Sequence, residues 1–199
     1  MLGRGFPSCA ACPILPLSHM IAIMFNPLAQ QLLVMAARRQ KLAPGAYLFH
    51  RDDKVTMMHL VLEGRVELQR AQLDGRPIVQ QRAGPGDIMA EASLHSDQYH
   101  CDAVAVMPSV IAAITTSSMK RRLGEDAEFA RQWSAHLAAE MQKARLRSEI
   151  LSRKTVAERL NAWLELHEGR LPPRGEWKSL AAEIAVSPEA LYREMSRRR

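Results

Sequence analysis

Near Gly124 the hydrophobic period of this 199-residue chain changes, and few architectures accommodate such a change. Before it, apolar residues come in short runs: Tyr47-Leu-Phe49, Met58-His-Leu-Val-Leu62, Arg65-Val-Glu-Leu68 and Ile78-Val-Gln-Gln81, with two more near 102–106 and 110–115. Turn signals fall between them at Pro44-Gly45, Glu63-Gly64, Asp74-Gly75 and Pro85-Gly86-Asp87. Val66 and Leu68 alternate with Arg65 and Glu67, as a strand with one wet face requires. Short strands separated by regular turns predict an antiparallel barrel or jelly-roll. After Gly124 the period is helical: Phe129, Trp133, Leu137, Met141, Ala144, Ser148 and Leu151 recur every three or four residues. So long a helix with one apolar stripe either lies along its own domain or pairs with a copy of itself.

The flanking segments are read in the same way. Residues 1–27 are rich in Pro, Gly and small residues, show no clear period, and are expected to be a mobile tail or an upstream extension, Met20 and Met24 being alternative starts. Cys9-Ala-Ala-Cys12 has the spacing of a metal or redox pair, but metal sites need about four ligands and one other cysteine exists. Leu28 to Arg39 reads as a short helix, with Leu28, Leu32, Met35 and Ala36 on one face. Thr155 to His167 supplies another amphipathic helix, and Gly169-Arg-Leu-Pro-Pro-Arg-Gly175 ends it in a loop.

Two brief helices with a tight turn follow. Ser179 is a plausible N-cap for the first, whose apolar face is Leu180, Ala181 and Ile184. Ser187-Pro188-Glu189 starts the second: a hydroxyl caps, proline fits the first helical position, and an acid complements the positive helix end. Leu191 and Met195 then face inward while Glu189 and Arg193 share the opposite face, the pattern of a helix-turn-helix. Any capped helical hairpin would show the same spacing. Charge argues for nucleic acid: the net charge is +6, residues 1–119 hold ten Lys/Arg against nine Asp/Glu, and residues 120–199 hold seventeen against twelve. Three cysteines make no disulfide framework and fit a reducing cytoplasm, and the broken apolar run from Cys12 to Phe25 is no membrane span.

The order barrel, long helix, helix-turn-helix resembles the CRP/FNR family of bacterial transcription regulators over roughly residues 30–199. Pro44-Gly45 with Leu48 and Asp52, Leu62-Glu-Gly-Arg-Val66, Gly84-Pro-Gly-Asp87 followed by Glu91 and Leu94, and Ile184-Ala-Val-Ser-Pro-Glu-Ala-Leu-Tyr-Arg193 carry the likeness. The expected fold is therefore α+β: an N-terminal extension (1–27), a cyclic nucleotide-binding-like effector domain (28–123), a long dimerisation helix (124–153) and a helix-turn-helix domain (154–199). The chain stops at Ser196-Arg-Arg-Arg199, so a truncated winged helix, without the family's wing and with weaker DNA binding, is expected.

The resemblance implies a homodimer on palindromic double-stranded DNA, RNA polymerase as a further partner, and no membrane association. DNA contacts would come from Lys178, Ser179, Ser187, Glu189, Ala190, Arg193 and Arg197, since Arg can donate two hydrogen bonds to guanine and Glu can accept from cytosine. Phe129, Trp133, Leu137, Met141 and Ala144 would pair the long helices. Ala185 replaces the usual turn glycine and fits if that residue need not adopt positive φ.

Effector-pocket candidates are Glu91, Ala92, Tyr99, His100 and Cys101. In relatives that bind a cyclic nucleotide, a Gly-Glu pair and a downstream Arg-Ser/Thr pair hold the ribose and the cyclic phosphate. Here Ala90-Glu91 keeps the carboxylate but Tyr99-His100 stands in the downstream place, so cyclic AMP is not the expected effector and the small molecule sensed is open. Tyr99-His-Cys-Asp102 contains metal-ligand types, but consecutive strand residues point to opposite faces, so Tyr99 and Cys101 read as packing residues with His100 on the other side. A jelly-roll metalloenzyme of the cupin type would need a His-x-His pair, which the sequence lacks; neither catalytic residues nor metal ligands are expected.

Overall fold

A computed structural model describes residues 26–71 and 77–198; the Cys9/Cys12 pair and all but the last two residues of the N-terminal extension lie outside them. The chain divides into two compact units, one ending at Trp133 and the other beginning at Ser134.

Among the described residues the first unit begins with helix α1 (Pro27–Val34), capped by the Asn26 carboxamide, which accepts from the Ala29 N–H at 2.8 Å. Eight strands follow: β1 (Arg38–Leu42), β2 (Tyr47–Phe49), β3 (Met57–Glu63), β4 (Val66–Ala71), β5 (Pro77–Ala83), β6 (Ile88–Met89), β7 (Asp102–Ala105) and β8 (Ser109–Thr115). They form two antiparallel sheets, β1-β8-β3-β6 and β2-β7-β4-β5, the jelly-roll arrangement the alternating runs predict. Between the sheets lie Phe49, Val61, Val66, Leu68, Tyr99, Cys101, Ala103, Ala105 and Ile111, all buried. On β3, Met58 and Leu60 point away from that core by the strand's alternation, and α1 covers β3 with its buried Leu28 and Leu32.

Three elements depart from the expected boundaries. The helix expected to run to Arg39 ends at Val34, because Arg38–Leu42 pairs with β8 over five residues; ladder hydrogen bonds override a weak local helical pattern. Strand β6 is two residues long, too short to show a period. Helical structure begins at Thr116, eight residues before Gly124: α2 (Thr116–Glu125) is capped by Thr115, whose hydroxyl accepts from the Ser118 N–H at 3.1 Å. Asp126 then breaks the helix and caps the next, accepting from the Phe129 N–H at 2.9 Å.

That next helix, α3 (Ala127–Ser152), is 26 residues long and spans about 39 Å. Its apolar stripe is not uniform. Phe129 and Trp133 are buried within the chain itself, so they serve its own core and cannot be the surface that meets a second copy. Leu137 is half-buried, while Met141 and Ala144 are exposed.

The second unit contains the rest of α3, α4 (Val156–Leu166), α5 (Trp177–Glu183) and α6 (Pro188–Arg197). Thr155 and Glu158 start α4 with reciprocal capping bonds. Ile150, Leu160, Trp163, Trp177, Leu180, Ala181, Ile184 and Leu191 make the core. Helix α5 begins at Trp177, not at a Ser179 cap; Ser179 lies inside its first turn, and a 3-10 turn at Arg174–Glu176 leads in.

Two stability predictions follow from the first unit. Gly64 closes the β3–β4 turn at φ +85°, and a β-carbon there would collide with the Pro108 carbonyl and the Ser109 hydroxyl. That hydroxyl accepts from the Arg65 N–H at 3.0 Å, so the collision falls on a groove already used. Gly64→Ala should cost about 2 kcal/mol or more in urea unfolding.

His59 faces inward against Phe49 and Tyr99, with its Nδ1 buried and unpartnered. Burial, aided by the Arg38 charge, lowers its pKa from 6.5 to about 4. The unfolded chain therefore takes up the proton first as pH falls, and folding stability is full above pH 6.5 and declines toward pH 4. Between pH 7 and 5 this residue should cost roughly 2 kcal/mol of unfolding free energy. His59→Leu should flatten the pH dependence by that amount, measured by urea unfolding of both proteins at the two pH values.

Candidate effector pocket and nucleic-acid interface

In the first unit one cavity, about 130 Å³, gathers all five effector-pocket candidates: Glu91, Ala92, Tyr99, His100 and Cys101. Phe49, Leu68, Gln80, Gln81, Ala90 and Ser93 complete its lining. Strands β4 and β5 supply one wall; the 3-10 turn Glu91–Ser93 and the bend before β7 supply the other.

Ala90 introduces that turn in the left-handed region, φ 64° and ψ 21°. A non-glycine residue held there stores about 1 kcal/mol or more, and such strain clusters at functional sites. Tyr99 stacks on Phe49 with ring centroids 3.7 Å apart and donates its hydroxyl proton to the Met57 carbonyl at 2.7 Å. Desolvation raises the Tyr99 pKa, partly offset by that bond. Burial also pushes the Cys101 thiol up, helped by the nearby Asp102 and Glu91 carboxylates. The thiol therefore stays protonated and is a poor nucleophile.

Tyr99 and Cys101 pack in the inter-sheet core and His100 is exposed, as expected, yet His100 still reaches the cavity. Its Nδ1 lies 3.1 Å from the Ser93 hydroxyl. The strict two-residue alternation that would have kept it from the cavity applies to strands, and these three residues form an irregular bend ahead of β7. Among the described residues no three His, Cys, Asp or Glu side chains gather as a metal site. No arginine or lysine among them lines the cavity.

In the second unit α5 and α6 form the helical hairpin. Ser187 caps α6 by accepting from the Ala190 N–H at 3.1 Å, and Pro188 takes the first helical position. Leu191 is buried, whereas Glu189 and Arg193 lie one helical turn apart on the exposed face. Glu189 is held below the usual carboxylate range by its own N–H, the Ser187 hydroxyl and the charge of Lys178. Lys178, Ser187, Glu189 and Ala190 thus cluster at the start of α6, with Ser179 half-buried on α5.

Two features of this hairpin differ from expectation. Ala185, at the turn, does adopt positive φ, 52°, so alanine occupies a conformation that favours glycine. Arg197 is not simply available: its guanidinium pairs with Glu194 at 2.8 Å. Glu194, only 9% exposed, also takes Arg198 at 2.7 Å, and these arginines hold its pKa down, Arg198 first. The burial of Glu194 between two arginines has no signature in hydropathy.

Residues 39–126 match the family model described as the cyclic nucleotide-binding domain. Among solved structures, FixK2 from Bradyrhizobium japonicum superposes with a TM-score of 0.64 and 22% identity, covering 80% of this chain and 83% of that one. The c-di-GMP responsive global regulator CLP of Xanthomonas campestris gives a TM-score of 0.63 and 17% identity over 85% and 89% of the two chains. The Catabolite Activator Protein of Thermus thermophilus gives 0.54 and 26% over 88% and 84%. No curated protein matches the sequence. Among the described residues no helix is long and apolar enough to cross a membrane. Residues 39–126 thus resemble the cyclic nucleotide-binding domain, and the chain has the fold seen in FixK2, CLP and the Catabolite Activator Protein.

Proposed function

We propose that this chain is a DNA-binding transcription regulator of the CRP/FNR type and not an enzyme. It would act as a homodimer whose DNA affinity is set by a small molecule held in the first unit. The observation that carries the reading is α6: a capped helix with its apolar side sealed by Leu191 and with Glu189 and Arg193 displayed one turn apart. That pair has the donor and acceptor geometry for a guanine and a cytosine edge in the major groove. Lys178 and the Ser187 hydroxyl, beside the positive end of α6, suit the flanking phosphates.

Residues 28–123 are assigned to effector capture, 124–153 to dimerisation and 154–199 to DNA. From Ser134 to Glu149 α3 has no buried residue, and Leu137, Met141 and Ala144 lie on that stretch. Pairing there with a second α3 would set two recognition helices about one turn of DNA apart on a palindrome. RNA polymerase would be the partner downstream of DNA binding, in a cytoplasmic setting.

The pocket chemistry argues against a cyclic nucleotide. A cavity of about 130 Å³ falls below the roughly 300–1,000 Å³ of sites for drug-sized ligands. Among the described residues no arginine lines it, so an anionic phosphate finds no bidentate partner there. A small uncharged molecule with hydrogen-bonding groups fits Gln80, Gln81, Ser93 and His100 better.

Two measurements test these statements. Selection from random duplexes should yield a palindromic site, and Arg193→Ala should weaken binding to it by about 1–3 kcal/mol and relax preference at one base pair per half-site. Unchanged affinity and preference would refute the role given to Arg193. Cyclic AMP or cyclic GMP at 1 mM is an excess that would raise stability by about 2.7 kcal/mol for a ligand bound at one hundredth of that concentration; neither should shift the unfolding midpoint or the DNA affinity.

A further inference from the structure

Arg159 lies one turn into α4, and its side chain donates to main-chain carbonyls of two other segments. Its Nε donates to the Arg153 carbonyl at 2.9 Å and its Nη2 to the Leu151 carbonyl at 3.3 Å. Its Nη1 donates to the Ile184 carbonyl at 3.2 Å and to the Ala185 carbonyl at 2.9 Å. The first pair belongs to the C-terminal end of α3, the second to the turn between α5 and α6. Carbonyls at helix ends lack intrahelical donors and carry the negative end of the helix dipole, so one guanidinium satisfies two helix termini together.

The turn it grips is strained. Ala185 sits at φ 52°, a conformation that costs an alanine about 1 kcal/mol. The Val186 N–H closes back onto the Ala181 carbonyl at 2.9 Å, but the Ala185 carbonyl itself is taken by Arg159. At the far end of α6 a second tie reaches the same helix: Arg198, oriented by Glu194, donates to the Ala157 carbonyl at 3.1 Å. Both ends of the α6 segment are thereby fastened to the first turn of α4.

We propose that Arg159 is the positioning residue of the DNA-binding unit: its fork locks the end of α3 and the α5–α6 turn in one arrangement, and so fixes the angle at which α6 is presented. The role deepens the DNA-binding reading and rests on it. Lysine cannot substitute, because a single ammonium on a flexible stem lacks the planar fork that reaches both segments.

The test uses the full chain as wild type, Arg159→Lys, Ala185→Gly and the double variant. Amide hydrogen exchange reads the clamp without DNA: Arg159→Lys should speed exchange at residues 184–187 and at residues 151–155 together, and Ala185→Gly should restore only the first. On the palindrome selected by the wild type, Arg159→Lys should bind about tenfold more weakly. Its penalty for half-site spacings one base pair longer or shorter should shrink, because presentation is no longer fixed. Relief of strain in the double variant should recover the unfolding midpoint and leave spacing selectivity relaxed.

An Arg159→Lys protein with unchanged exchange at either segment overturns the proposal. So does one whose affinity and spacing penalty return fully when Ala185→Gly restores stability, since that is the behaviour of a residue that only supports the fold. If the wild type selects no duplex, the DNA-binding reading fails by itself, and the exchange pattern still decides whether the clamp exists.

Discussion

The first unit depends on one strand being buried on both faces. From Ile111 to Ile114 strand β8 has no solvent contact, although its side chains alternate in direction. A strand in that position must be covered on each side, and Ile111 meets the inter-sheet core while the opposite face is left for helices. It is also central within its sheet, hydrogen-bonded to β1 and β3 along its length. The two alanines at 112 and 113 keep both faces low enough for close approach. The same strand runs straight into α2 through the Thr115 cap.

The second unit is small and relies more on satisfying main-chain groups than on bulk. Its core contains two tryptophans, yet the geometry that matters for α6 is held by arginines answering carbonyls. This is economical where a helix must stay exposed on one side. A helix exposed on one side has to be oriented from behind and from its ends.

Much of this was legible in residues alone, for physical reasons that also mark the limits. Strand β4 is half-buried with clean alternation, β3 and β8 are apolar runs bounded by turn or capping residues, and α4 and α6 show a helical period and caps. Strand β1 reads Arg-Arg-Gln-Lys-Leu and lies at a sheet edge, so it has neither alternation nor an apolar face to announce it. Helix α2 buries only Met119 among its ten residues. The five pocket candidates follow from the resemblance to the family's phosphate cassette, whereas Phe49, Gln80 and Gln81 arrive from distant strands and carry no local mark. Arg159 and Glu194 look like solvated helix charges. Their partners are backbone atoms or residues brought together only by the fold.

The bare middle of α3 has a consequence for how the protein behaves in a cell. Between Ser134 and Glu149 no residue of the helix is fully buried, and a helix with little tertiary support is marginal in water even at good propensity. Its integrity therefore belongs to whatever lies against it. If that is a second α3, then abundance becomes a form of quality control. Scarce protomers would expose a frayed, protease-accessible stalk and be cleared, whereas paired ones would persist, so the pool available to act is filtered by its own concentration.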